Sequence, residues 1–447
     1  MAAPTPRVAL AAFGRATFDL AQAAQALERS RTALAQLPLE LVAASGLLTD
    51  PAAAAAFGAE CAARQPDLVV CQFTTFVDGR LPLALAEAAP GPLLLWALRE
   101  PGLPGERLAL NSLTGANLAG HALARHGRFY RFVLGDPGEE ALGRRVTGLA
   151  QAAAAATWLA AFRVLQVGAA PDGFTFSDPS PAALAASGLR IERLALEELF
   201  AAAAAVPAAV WAPLAAWAAA RVAGLERLPP AQVEKFARLQ AVVEAEVAAR
   251  GASAVAVRCW PEFFTGFGAA ACSFVSALGE RGVAAACEAD ILGAVTMGLL
   301  SRLAGGPSYL GDLAALDRER DAAVFWHCGA GAFSLAAAPG PRAGVHPNRG
   351  LGFTLEFGLR PGRVTIARLG EGAAGLRLLV GGGEVLDAPQ RFLGTTATVR
   401  LDGQSAEAAA RRLIEEGWEP HYALVYGDVR EQLRDVAALL RMPVVEL

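Results

Sequence analysis

Residues 362–386 read GRVTIARLGEGAAGLRLLVGGGEVL, two short apolar runs separated by glycines. Further runs of the same kind are RDAAVFWHCG (320–329), LGFTLEFGL (351–359) and GTTATVRLDG (394–403). Short apolar runs at this spacing are typical of an antiparallel meander or a small barrel. The sequence therefore predicts that the C-terminal segment, residues 305–447, is a β-rich domain, a small antiparallel barrel.

The chain before residue 305 has a different pattern. Short apolar runs such as PRVALAAFG (6–14) and DLVVCQF (67–73) alternate with stretches of helical periodicity. Strands that alternate with helices indicate βαβ units and a parallel sheet. We therefore predict an α/β protein with two Rossmann-like domains, residues 1–140 and 141–304, ahead of the β-rich domain.

Composition excludes several classes of protein. The net charge is −4 and no basic stripe is present, which argues against a nucleic-acid partner. The six cysteines form no C-x-x-C pair, so a zinc ribbon is not expected and a cytoplasmic protein with reduced thiols fits best. The uncharged stretch 199–220 is long enough to span a bilayer. It is mostly alanine and contains Pro207 and Pro213, so we predict helices of a soluble protein and no membrane partner.

Four side chains that bind metals well stand at the ends of predicted elements. His327 ends one apolar run and His421 begins another, whereas Glu288 and Asp312 adjoin predicted helices. Each has an ordinary alternative, because histidines are often structural and acids favour helix starts. Asp290 is the better candidate for a helix N-cap than Glu288, since it immediately precedes an apolar helix.

Taken together, two carboxylates and two imidazoles suit Mn²⁺, Mg²⁺ or Co²⁺. The four are far apart in the chain, so only the fold could bring them together. The glycine run at 381–383 is interpreted as part of a hairpin, since no helix follows it as in a phosphate-binding loop.

Two long segments resemble the L-fucose isomerase and L-arabinose isomerase superfamily. One runs from RCWPEFFTGFG (258–268) through CEADILGAVTMGLL (287–300) to FWHCG (325–329), and the other includes GWEPHYALVYGD (417–428). The segment NSLTGANLAGHALARHGRFYRFVLG (111–135) resembles the family less strongly. The resemblance covers the full length, with its specific motifs almost wholly after residue 255.

The resemblance implies a metal-dependent aldose–ketose isomerase that works through a cis-enediol. Its metal would be held by Glu288, Asp312 and His421, and the arabinose-type pattern adds His327. Glu288 and Asp312 would share the proton transfers, and Mn²⁺ is the expected ion, with Mg²⁺ or Co²⁺ as alternatives. The family also leads us to expect a homo-oligomer, a trimer or a hexamer.

The substrate follows less directly from the residues. We expect a pentose, a hexose or a 6-deoxyhexose such as L-fucose, D-arabinose or L-arabinose. The alternatives are an isomerase of a modified hexose such as sulfoquinovose, and a sugar-binding or sensing protein without turnover. Trp260, Trp326 and Arg15 are candidate substrate contacts, the arginine from a neighbouring subunit.

Overall fold

The first parallel sheet is built from the N-terminal part of the chain. A computed structural model describes residues 5–101 and 107–447. The sheet has the strand order β2-β1-β3-β4-β5. Its strands are β1 (Arg7–Phe13), β2 (Glu40–Ala43), β3 (Leu68–Phe73), β4 (Leu93–Ala97) and β5 (Tyr130–Leu134). Its helices are α1 (Leu20–Ala35), α2 (Pro51–Arg64), α3 (Arg80–Ala88), α4 (Ser112–Arg125) and α5 (Glu140–Leu159). Strands β3 and β4 are buried throughout, as expected of a parallel sheet covered on both faces.

A second, four-stranded parallel sheet has the order β7-β6-β8-β9. Its strands are β6 (Arg163–Val167), β7 (Arg190–Leu194), β8 (Ala254–Val257) and β9 (Ala284–Ala286). The helices of this region are α6 (Pro181–Ser187), α7 (Leu196–Ala205), α8 (Ala208–Ala219), α9 (Pro230–Arg250), α10 (Cys272–Glu280) and α11 (Ile291–Ala304). Helix α11 is buried over most of its surface, which explains why its sequence carries so few charges.

The C-terminal strands form an antiparallel barrel of six strands in the order β11-β10-β17-β14-β15, closed by β16 between β15 and β11. The strands from here on are β10 (Ser308–Asp317), β11 (Ala322–His327), β12 (Arg342–Val345), β13 (Gly352–Gly358), β14 (Gly362–Gly372), β15 (Gly375–Val385), β16 (Thr395–Leu401), β17 (His421–Tyr426) and β18 (Val444–Glu446). The helices are α12 (Ala406–Glu415) and α13 (Arg430–Leu439). Strands β13 and β18 add to the barrel by parallel pairing. The predicted fold class, α/β followed by a small barrel, is confirmed.

The glycine run at 381–383 has a packing role in the barrel. It lies inside the long strand β15, whereas the hairpin turn itself falls at Gly372–Gly375. A Cβ on Gly383 would lie 2.5 Å from the backbone oxygen of Arg400 on the neighbouring strand. Gly383 therefore lets β15 approach β16 where the barrel closes, and the whole glycine run belongs to a strand of the hairpin and not to its turn.

The chain divides into two compact units, one running to Thr157 and the next beginning at Trp158. The predicted boundary after residue 140 falls at the start of α5. Leu142, Val146 and Leu149 of that helix pack in the core of the first sheet, which is why the unit extends further. The predicted second and third domains, which meet at residue 305, belong to one unit.

In the described parts of the chain, no single helix is long and apolar enough to cross a membrane. Helices α7 and α8 meet the length and composition test only as a pair, and they are bent by 98° relative to each other.

Candidate active site

A row of side chains crosses three barrel strands at one level. Asp312 on β10 is paired in register with His421 on β17 on one side and with Trp326 on β11 on the other. Residues directly opposite each other in an antiparallel pair point to the same face. The barrel thus presents a carboxylate between an imidazole and an indole. Asp312 is a strand residue, and the alternative interpretation of it as a helix N-cap is wrong.

Glu288 reaches the same point from the second parallel sheet. It lies between β9 and α11, where Glu288 and Ala289 have φ values of +57° and +56°. Two successive non-glycine residues in the left-handed region are uncommon and need support from their surroundings. That support includes the bond from the Ala289 amide to the Val257 carbonyl at 2.9 Å. The sharp turn directs the Glu288 side chain toward the barrel.

Two of the predicted ligands, Glu288 and Asp312, lie close to one nitrogen of the third, His421. The Nε2 atom of His421 lies 3.3 Å from Glu288 Oε2 and 3.6 Å from Asp312 Oδ1. Ligand atoms that share an ion at about 2.1 Å stand roughly 3 Å apart, so these distances fit a common cation after a small adjustment of the carboxylates. The adjustment is needed, because no three such side chains in residues 5–101 and 107–447 are already grouped to hold a metal ion.

The polar atoms themselves fit a cation. His421 is fully buried, and its Nε2 atom makes no hydrogen bond. A buried polar atom without a partner is rare in folded proteins and indicates a missing partner. Two carboxylates and an imidazole are ligands suited to Mn²⁺, Mg²⁺ or Co²⁺.

A buried ion pair holds the His421 ring in place. Its Nδ1 lies 2.9 Å from Asp290 Oδ2, and Arg368 Nη2 donates to Asp290 Oδ1 at 3.1 Å. All three side chains are fully buried. Because the Asp290 carboxylate only accepts, Nδ1 carries a proton, and Nε2, which faces Glu288 and Asp312, is the nitrogen that can give its lone pair to a cation. Asp290 also caps α11 through Gly293 N at 2.8 Å, as predicted.

This support was not predicted from the sequence. Arg368 is a charged residue in the middle of the apolar run VTIARL, and that unusual placement is the signal that could have identified it. Glu419 lies near the same guanidinium, 3.7 Å from its Nε. Phe176, from the loop after β6, contacts the His421 ring edge to face at 5.0 Å between centroids, and no pattern in that loop indicated it.

The titration of these groups reflects their mutual contacts. Burial disfavours a charged His421, but its hydrogen bond to Asp290 and the nearby Glu288 carboxylate outweigh this and raise its pKa to about 10. Burial, with the nearby charges of Glu288 and Asp290, raises the pKa of Asp312 to about 6 against the opposing effect of His421. Burial also raises the pKa of Glu288, yet its close contact with His421 and the positive charge of that ring leave it lowered overall. A cation at Nε2 would replace the His421 proton.

His327 lies beside these groups but is held differently. Its ring centroid is 5.6 Å from that of His421, and its Nδ1 accepts a hydrogen bond from the Cys328 amide at 2.9 Å. Its Nε2 is buried and has no partner. Burial and the neighbouring His421 lower the pKa of His327 to about 4, so the ring is neutral near pH 7. Its predicted role as a fourth metal ligand stays a prediction.

The predicted substrate contacts fall in two places. Trp260 is half-buried and lies near the Glu288 carboxylate. Trp326 stands beside Asp312, and its indole donates to Leu393 O. Arg15 belongs to the first compact unit, where its guanidinium lies over the Phe76 ring. The substrate-binding roles of these three residues stay predictions.

Comparison with known proteins finds related sequences over most of the chain. The model of the L-fucose isomerase C-terminal domain matches residues 345–447. A sulfoquinovose isomerase from Alkalicoccus urumqiensis is 43% identical over 385 residues, 86% of each chain. Sulfoquinovose isomerases from Priestia aryabhattai, 38% identical over 96% of each chain, and Clostridium sp. (strain MSTE9), 37% identical over 84% of this chain and 85% of the relative, also match.

The chain belongs to the L-fucose isomerase-like family. The resemblance described from the sequence is thereby confirmed, as is the prediction of an aldose–ketose isomerase. The family model covers β13 to β18 of the barrel and includes His421. Glu288, Asp312 and His327 lie before it, in the part of the chain that only the full-length relatives cover.

Proposed function

We propose that this chain interconverts sulfoquinovose, a hexose that carries a sulfonate at C6, with its ketose. The observation that carries the proposal is the convergence of Glu288, Asp312 and His421 on one point, in a chain whose matched relatives are sulfoquinovose isomerases. A modified hexose of this kind is the alternative substrate that the sequence left open. It is better supported than the unmodified pentoses, hexoses and 6-deoxyhexoses.

Glu288, Asp312 and His421 would hold the divalent cation, for which we propose Mn²⁺, with Mg²⁺ or Co²⁺ as alternatives. When bound, such an ion supplies Lewis-acid stabilisation of negative charge on the oxygens of the sugar. The fit rests on the unpartnered Nε2 atom of His421 and on the two carboxylates beside it. Asp290 and Arg368 keep that nitrogen aimed at the site.

The two carboxylates carry the proton transfers. One takes the proton from C2 of the open-chain aldose and returns it to C1, and the other assists proton movement between the two oxygens, through a cis-enediol. Both lie within 3.6 Å of the same nitrogen, so they flank one small region in which C1 and C2 would sit. Each general acid–base step of this kind contributes about 10²–10⁴-fold.

Two further properties belong to the proposal. We propose that the protein is cytoplasmic, since its cysteines are free wherever the structure describes them. We also propose a homo-oligomer, a trimer or hexamer, in which Arg15 of a neighbouring copy contacts the sugar. Sizing of the purified protein, with activity measured across the fractions, tests the assembly.

The decisive experiment compares two sugars that differ only in the sulfonate. The chelated enzyme, resupplied with Mn²⁺, is assayed for ketose formation from sulfoquinovose and from 6-deoxyglucose. A site that recognises the sulfonate should favour sulfoquinovose by on the order of 10²-fold or more in kcat/KM. Equal rates would contradict the substrate, whereas tight sugar binding without turnover would favour the sensing protein over the enzyme. L-Fucose and L-arabinose in the same panel test the unmodified substrates.

A further inference from the structure

The hydrogen bond at Nδ1 fixes the protonation pattern of His327. A backbone N–H can only donate, and the Cys328 amide donates to His327 Nδ1 at 2.9 Å. Nδ1 is therefore an acceptor without a proton. The neutral ring then carries its proton on Nε2, so that Nε2–H is a hydrogen-bond donor and has no lone pair to give.

His421 has the opposite pattern in the same region. Its Nδ1 proton is directed to Asp290 at 2.9 Å, so Nε2 is the nitrogen that can exchange its proton for a cation. A histidine binds a metal through an unprotonated nitrogen. By this criterion His421 is arranged as a ligand and His327 is not.

The Nε2–H group of His327 still lacks an acceptor. The residue is 3% exposed, and Nε2 has no hydrogen-bond partner. A buried donor left without an acceptor is destabilising, so such a group is expected to bind something when the protein is at work. Its ring lies 5.6 Å from the His421 ring, which places it at the edge of the catalytic group.

We infer that His327 donates a hydrogen bond from Nε2–H to an oxygen of the bound sugar and is not a ligand of the cation. The inference rests on the proposed function, because it needs a sugar whose oxygens reach this site. The acceptor would be a hydroxyl or carbonyl oxygen, both of which accept an N–H. A donor at this point would stabilise charge that develops on that oxygen during proton transfer.

A water molecule is the other candidate acceptor for the Nε2–H group of His327. A small cavity of about 20 Å³, lined among others by His327, Cys287 and Leu310, has room for one water molecule. If a water there were the only acceptor of the Nε2–H hydrogen bond, replacing His327 would change stability and leave the kinetics unchanged.

Three variants separate these roles. His327→Gln keeps an N–H donor at a similar reach, His327→Phe keeps a planar ring without a donor, and His421→Gln is the comparison for loss of a ligand. Mn²⁺ affinity is measured by titration of the chelated proteins, followed by steady-state kinetics with saturating Mn²⁺. Circular dichroism and thermal melts establish that each variant is folded.

We expect both His327 variants to bind Mn²⁺ within about 3-fold of the wild type, while His421→Gln weakens binding by about 10-fold or more. His327→Phe should lower kcat/KM by roughly 10²-fold, as loss of a donor to a developing oxyanion does, and His327→Gln should recover most of that loss. A fall in Mn²⁺ affinity in both His327 variants comparable to that of His421→Gln would overturn the inference. So would wild-type kinetics in His327→Phe.

A measurement on the unmodified protein provides an independent check. With ¹⁵N-labelled histidine and Mg²⁺ as a diamagnetic ion, His327 should show a proton bonded to Nε2 both with and without the ion. Loss of that proton on adding Mg²⁺ would make His327 a ligand and overturn the inference. Failure of the proposed function is seen separately, as wild-type protein without cation-dependent turnover of any sugar in the panel.

Discussion

His421 and His327 are two buried imidazoles whose rings lie 5.6 Å apart, and their surroundings give them opposite chemistry. His421 faces a carboxylate on its Nδ1 side, whereas His327 faces a backbone amide on the same atom. An acceptor at Nδ1 lets Nε2 give its lone pair to a cation, whereas a donor at Nδ1 leaves the single proton of the ring on Nε2. The hydrogen-bond partner of Nδ1 therefore decides whether the Nε2 atom of a histidine binds a cation or donates to a substrate.

The largest effect on turnover should come from replacing Glu288, whose carboxylate lies 3.3 Å from His421 Nε2. Glu288→Gln keeps the shape of the side chain but removes a base, so turnover of the true substrate should fall by about 10²-fold or more. Mn²⁺ should still bind, since an amide oxygen remains. Glu319→Gln, at a side chain that is 91% exposed, is the control. Turnover near the wild-type level in Glu288→Gln would mean that the assigned mechanism is wrong.

His421→Ala should act through the cation. Removal of the imidazole ligand should weaken Mn²⁺ binding by at least the 10–100-fold that loss of an outer partner causes. Excess Mn²⁺ should partly restore activity, because mass action replaces lost affinity but not a lost base. His126→Ala, at the exposed C-terminal end of α4, should leave both quantities unchanged. Activity that no concentration of Mn²⁺ restores would count against His421 as a ligand.

Asp290→Asn tests the group behind His421. The amide no longer enforces the proton on Nδ1, so Mn²⁺ affinity should fall by about 10–100-fold. The substitution also leaves Arg368 as a buried charge without its main partner, which should lower the free energy of unfolding by about 3–5 kcal/mol.

Asp50→Asn is the matched control, because Asp50 also caps a helix, through Ala53 N, but is exposed and lacks such partners. It should change stability by no more than a few tenths of a kcal/mol, since asparagine caps equally well. Chemical denaturation and Mn²⁺ titration of both variants measure the difference. Equal behaviour of the two variants would show that the Asp290 contacts do not position His421.

The smallest effect is expected where a similar ion pair is open to water. Asp428 is 44% exposed and accepts from Arg430 Nε at 2.8 Å. Removing that pair with Asp428→Asn should change the free energy of unfolding by less than about 1 kcal/mol. The hydrogen bond to Arg430 lowers the pKa of Asp428 to about 2.

The pH dependence of that difference has a definite sign. Because the folded-state pKa is lowered, the stabilising contribution is complete above about pH 4, the pKa of an unfolded aspartate, and disappears as the pH falls toward 2. Denaturation of the wild type and Asp428→Asn between pH 7 and pH 2 should show the gap closing only at the acid end. A gap that widened toward acid pH would contradict the assignment.

The sequence predicted the order of parallel sheets and barrel because apolar periodicity reflects which strand faces are buried. It also predicted the cap at Asp290, whose position before an apolar helix is a local signal. Asp312 was harder, since an aspartate beside leucines is compatible with a helix start, and only pairing with His421 and Trp326 fixes it in a strand. Long-range pairing of that kind leaves no local pattern.

The support of His421 was not predicted for the same reason. Asp290 and Arg368 are separated by 78 positions, and no local sequence pattern around either residue indicates that they pair. The tautomers of the two histidines depend on single hydrogen bonds, which a sequence does not display. Family resemblance supplied the candidate ligands, but the opposite protonation of His327 and His421 follows only from coordinates.

The row formed by His421, Asp312 and Trp326 limits which insertions and deletions the strands of the barrel can accept during evolution. Side chains along a strand alternate between the two faces, so inserting or deleting one residue in β10 would replace Asp312 with a neighbour that belongs on the opposite face. Substitutions leave the row intact, whereas changes of length within these strands would remove the acid from the site. Descendants of this gene that keep the activity should therefore vary in length only in the connections between strands.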